Sequence, residues 1–172
     1  MSTGMFLTLR TAHILLAAIW IGASVFMTFL LMPAINAVGK AGGEVMVSMN
    51  RKGLPAFFGA LGGLTVVTGI VLFWRFTSGF EPSLSGSREG IAYSIGGLAG
   101  LIAVIIGGAV VGRSAKKAVD LISKAATLPD GPQKGALMAE FGAHKQRLAS
   151  FGLVVVVLQL VALVAMSIAH YI

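Results

Sequence analysis

The chain contains no cysteine, which excludes disulfides, thiolate metal sites and thiol catalysis. Charge is scarce: 11% of the 172 residues are Asp, Glu, Lys or Arg, and six of these are acidic. An ordinary soluble domain carries about 25%. No Ser/His/Asp arrangement, phosphate loop or HExxH pattern occurs, so a hydrolase reading has no residues to stand on. No internal repeat is evident, and one domain over residues 1–172 is the simplest organisation.

What remains is apolar. Hydrophobic residues make up 56% of the chain, and the mean hydropathy is +0.91. Four stretches carry no Asp, Glu, Lys or Arg: Thr11–Val38, Gly53–Trp74, Gly90–Gly112 and Leu148–Ala169, of 28, 22, 23 and 22 residues. A helix needs about 20 residues to cross the hydrocarbon of a bilayer. Lipid cannot satisfy free backbone groups, so the stretches must be helices or closed-barrel strands. Their Gly, Ala and Leu content argues against strands. The uncharged run after Arg10 is too long for the apolar core of a secretory signal, which is about 7–15 residues. The expected fold is therefore all-α: an integral membrane antiparallel four-helix bundle. Its spans are expected over about 5–38, 53–75, 90–112 (extending to about 127) and 135–171.

Four spans put both termini on one side of the membrane. That side holds Arg10, Arg75 and Arg88, and the other holds the remaining 10 of the 13 basic residues. The positive-inside rule makes the richer side cytoplasmic, so both termini are expected at the periplasmic face of a bacterial inner membrane. The net charge of +7 follows from this bias and from contact with anionic headgroups, and does not point to nucleic acid.

Local signals refine the picture. Pro33 should kink or end the first helix. The segment Gly39–Lys52 has room for a short surface helix, and the Ser- and Gly-rich segment Phe76–Glu89 should be irregular. Leu128-Pro129-Asp130-Gly131-Pro132 is a turn signal. The flanking periodicity predicts a helical hairpin that extends the third and fourth spans beyond the lipid. Small-xxx-small pairs at Gly59/Gly63, Gly96/Gly100 and Gly108/Gly112 mark faces for close helix packing, and these faces would also allow a homodimer.

Candidate chemistry centres on histidine. His13, Ala17, Trp20, Ser24 and Met27/Thr28 form one stripe at helical spacing, which mixes small, polar and aromatic residues and should face inward. Arg10 shares that face. In the fourth stretch, Gln159 and His170 share a face, and Gln159 is expected to hydrogen-bond a neighbouring helix. His13 and His170 lie at the same end of the expected bundle, where two inward imidazoles would hold a haem iron between them. Arg10, Arg75 and Arg88 could pair with the propionates. Trp20 would line the cofactor. His144 sits among cations at the opposite end, where interfacial contact is expected. Met27, Met32, Met46 and Met49 are spread as packing residues are, but they leave open a copper-binding alternative. The absence of intramembrane Asp, Glu, Lys or Arg argues against a proton-coupled transporter.

The string His13-x6-Trp20-x-Gly22, leading to Met32-Pro33-Ala34, resembles the first helix of copper resistance protein D-like membrane domains. Arg51 ahead of the second stretch and Thr68-Gly69 within it are similar to their next helix. Met166-Ser167-Ile168-Ala169-His170-Tyr171 resembles the tail of small relatives. A wider similarity is to the membrane protoporphyrinogen oxidase family, helical and haem-associated, with a histidine and a tryptophan similarly placed. That resemblance implies His13 as an axial ligand of haem b. The copper relatives imply copper handling or uptake, although the soluble copper-binding domain and clustered Met/His segments are missing here. The expectation is a membrane b-type haem protein that carries out electron transfer, with a quinone or a periplasmic redox partner, or chemistry on oxygen, superoxide or nitric oxide. Whether it is an oxidoreductase is left open. The alternatives are copper handling and a non-catalytic helical subunit.

Overall fold

The computed structural model describes residues 2–172. It is all-helical, with no strand among the described residues. Four helices are long and apolar enough to cross a membrane: Thr3–Ala37, Leu54–Phe76, Arg88–Ala125 and Pro132–Tyr171. The chain is thus a multi-pass membrane protein by the length and composition of its helices.

The first span begins where Ser2 accepts a bond from the Met5 N–H at 3.3 Å, a side-chain cap on α1 (Thr3–Phe26). The chain passes Pro33 without stopping. A π-helical turn, Met27–Leu31, leads into α2 (Met32–Ala37), with Pro33 in the first turn of that segment. The Met32 N–H bonds to the Met27 carbonyl, five residues back. This widened turn absorbs the missing proline donor and the ring clash that would otherwise break the helix.

Gly39 and Gly53, at φ of 58° and 89°, bracket α3 (Lys40–Arg51). This is a complete three-turn helix where only a short one was expected. It folds back so closely on α2 that a Cβ at Gly42 would collide with the Ile35 carbonyl. The second span is α4 (Leu54–Phe76). Its end is closed by the fully buried Thr77, whose Oγ1 donates to the Phe73 carbonyl at 2.9 Å and accepts from the Phe80 N–H at 3.0 Å.

A single turn of helix, α5 (Pro82–Ser85), precedes the third span. There Ser87 Oγ caps α6 (Arg88–Ile106) by accepting from the Gly90 N–H at 3.0 Å. A second π turn, Gly107–Gly112, joins α6 to α7 (Arg113–Ala125). The turn beyond α7 is held by Lys134 Nζ, 2.7 Å from Asp130 Oδ1. That hydrogen bond, reinforced by the lysine charge, keeps the Asp130 carboxyl below its ordinary range. The fourth span is α8 (Pro132–Ile168), ending in a 3₁₀ turn, Ala169–Tyr171.

Trp20, Leu61, Ala103 and Val155, one from each span, meet in a single buried cluster. Small residues make room for it. A Cβ at Gly62 would lie 2.9 Å from Val104 Cγ2 and 3.0 Å from Trp20 Cζ2, and one at Gly96 would lie 2.8 Å from Met166 Cγ. The glycines Gly59, Gly63, Gly100 and Gly108 face open space instead. Of the small-xxx-small faces, the side that packs inside the protein is therefore reached through Gly96. Elsewhere the surface is apolar: at most 28% of the most hydrophobic window of any span is buried. Large side chains such as Leu30, Val67 and Leu98 stand more than half exposed. That outward face suits hydrocarbon and not water.

Candidate functional site

His13 sits on α1 one turn before Ala17 and two before Trp20, and its ring turns inward against α4. Its Nδ1 lies 3.0 Å from the Thr65 carbonyl and 3.0 Å from Thr68 Oγ1. The Thr68 hydroxyl is itself committed as a donor, to the Leu64 carbonyl at 2.7 Å. Both partners of Nδ1 are therefore acceptors, so Nδ1 carries a proton, and in the neutral form of the ring the lone pair lies on Nε2. Gly69 makes the approach feasible, because a Cβ there would stand 3.0 Å from His13 Cε1.

A histidine whose Nδ1–H is tied to a backbone carbonyl while Nε2 stays available is the arrangement that metal and haem ligands use. The Thr65 carbonyl fixes the tautomer and orients the ring. Among the described residues no protein group bonds Nε2, and the ring is half-buried. No cluster of three or more His, Cys, Asp or Glu side chains that could hold a metal ion exists among the described residues.

His170 stands apart. It occupies the terminal 3₁₀ turn, with its side chain 80% exposed and its Nδ1 3.7 Å from Glu89 Oε1 at the start of α6. Its ring meets Tyr171 edge-on, with centroids 5.8 Å apart. Among the described residues no hydrogen bond, ion pair or ring contact joins it to His13. The two imidazoles engage different helices.

Trp20 is 6% exposed and lies in the central cluster. Arg10, Arg75 and Arg88 are exposed and, among the described residues, lack carboxylate partners within ion-pair distance. Gln159 is buried, and its Nε2 donates to Ser24 Oγ at 3.1 Å, so it ties α8 to the His13 stripe of α1. Met27 and Met32 lie in the first span, while Met46 and Met49 lie on α3. His144 lies on α8 beside a cavity at the opposite end.

Thr65, Thr68 and Gly69 are the residues that sequence reasoning left without a role. Their signal was present as two hydroxyls and a glycine at i, i+3 and i+4, one polar stripe in an otherwise apolar helix. No family model, curated protein or solved structure matches the chain.

Proposed function

We propose that this chain is a b-type haem protein of the bacterial cytoplasmic membrane, with His13 Nε2 as the axial ligand. The spans would form an antiparallel four-helix bundle with both termini at the periplasmic face. The 3-against-10 distribution of basic residues supports that orientation. The observation that carries the functional reading is the anchoring of His13 Nδ1 on the Thr65 carbonyl, 3.0 Å away. While the copper resistance protein D-like resemblance implies copper handling instead, the resemblance to the membrane protoporphyrinogen oxidase family points the same way. So do Arg10, Arg75 and Arg88 near the same end, available to propionates.

When bound, the haem supplies one-electron and small-ligand chemistry. The protein residues hold and orient it. Thr65 and Thr68 keep the imidazole in one tautomer. His170 would be the sixth ligand, or that position would stay open to oxygen, superoxide or nitric oxide; the ligation sets whether the centre transfers electrons or binds small molecules.

The test is an absorption spectrum of the purified protein. Wild type should show a Soret band that shifts on reduction. His13→Ala should lose it, while His144→Ala keeps it. A colourless wild-type preparation, or an unaltered spectrum in His13→Ala, would overturn the assignment.

A further inference from the structure

At the end of the molecule away from His13, a cavity of about 410 Å³ opens between the third and fourth spans. Its lining is amphipathic. Ala109 and Val110, from the π turn, are apolar, while Arg113, Lys117, His144 and Arg147 are basic, and Ser114 is buried among them. Arg113 and Lys117 are four residues apart on α7, and His144 and Arg147 are three apart on α8. Each pair therefore shares a helix face, and the two faces meet across the cavity.

Two facts show that this side-chain set is incomplete. His144 Nδ1 is buried and has no hydrogen-bond partner, a state that costs the desolvation of the group with nothing in return. Three permanent cations also surround one cavity, with a single acidic neighbour in contact: Glu140, 3.6 Å from Lys117. Arg113 and Arg147 have no acidic partner within ion-pair distance among the described residues. An anion with several acceptor oxygens would balance the charge of these cations.

We propose that this cavity is a binding site for the phosphodiester headgroup of an anionic phospholipid. Arg113 and Arg147 hold the phosphate, and an acyl chain leaves along Ala109 and Val110. The placement selects a lipid over a soluble phosphate. The cavity straddles the boundary where the charge-free stretches end, at Gly112, and begin, at Leu148. Headgroup phosphates lie at that depth, and basic pockets between membrane helices bind such groups. A soluble anion would have no use for the apolar side of the lining. This site is independent of the haem reading and needs no cofactor for its test.

Native mass spectrometry of the full-length protein, titrated with phosphatidylglycerol or with phosphatidylcholine of the same chains, reads the site directly. Wild type should retain one phosphatidylglycerol per protomer in preference to phosphatidylcholine. The R113Q/R147Q variant should bind it about thirtyfold more weakly, the loss expected for two basic contacts. The K124Q/K134Q variant, equal in charge but remote from the cavity, should match wild type. Equal retention of the two lipids by wild type would overturn the proposal whether or not the arginine variant folds. So would an equal loss in both variants, which would show bulk attraction only. Inorganic phosphate should leave the thermal midpoint unmoved; a shift as large as that from phosphatidylglycerol would make the ligand a soluble phosphate.

Discussion

The contact between the first and second spans is built differently from that between the third and fourth. The first pair is joined by polar atoms as well as by the close fit of Gly62 to Trp20, with the His13 ring held by the Thr65 carbonyl and the Thr68 hydroxyl. The second pair is joined by small residues, with Gly96 lying under Met166 and against the Ala162 carbonyl. Packing by small residues needs only shape, and van der Waals contact suffices where lipid removes the hydrophobic drive between helices. A half-buried imidazole adds cost without adding much to packing, which makes it a candidate for a task beyond holding helices together.

Three substitutions sharpen that comparison. The largest effect should come from Gly69→Val. Its Cβ would stand 3.0 Å from His13 Cε1, and the added methyl groups would come closer. The ring must turn off the Thr65 carbonyl, and the Soret band should vanish while the protein still purifies as a helical monodisperse species. A normal spectrum in this variant would mean that the clamp does not set the ligand.

Gly96→Val should do the reverse. The new side chain overlaps Met166 Cγ and approaches the Ala162 carbonyl, so unfolding in mixed detergent should become easier by about 1–3 kcal/mol. The haem content of the folded fraction should be unchanged. Loss of haem in proportion to stability would erase the distinction between the two interfaces.

Thr68→Val should be the mildest. It removes one of two acceptors and leaves the Thr65 carbonyl, so haem affinity should fall about tenfold, the low end for a residue behind a ligand. Titration of the apoprotein with hemin measures this. A drop as complete as that of Gly69→Val would make the hydroxyl, and not the carbonyl, the main anchor.

Parts of this arrangement are legible in the amino-acid sequence. The inward stripe through His13, Trp20 and Ser24 follows from helical spacing, and Trp20 and Ser24 are buried. Gln159, a lone amide in an apolar stretch, bonds to Ser24 on another helix. Other features are hidden. Pro33 reads as a kink or an end inside a span expected to reach about residue 38, and the span does reach Ala37; what is hidden is the π turn that lets it pass, since such turns have no clear composition signal. Gly59/Gly63 and Gly96/Gly100 look alike in sequence, yet only Gly96 is packed, because helix rotation decides which face turns inward. His170 shares a depth with His13, but the terminal 3₁₀ turn brings it beside Glu89.

The chain alone decides that it is helical and how often it can cross a bilayer, because the hydrogen-bonding demand of a backbone in hydrocarbon leaves few options and long charge-free runs announce it. Which carbonyl meets the His13 ring, and which cations gather around one cavity, depend on the rotation and register of each helix against its neighbours. Those are set by the sum of many weak side-chain contacts between segments distant in sequence, and only the tertiary structure performs that sum.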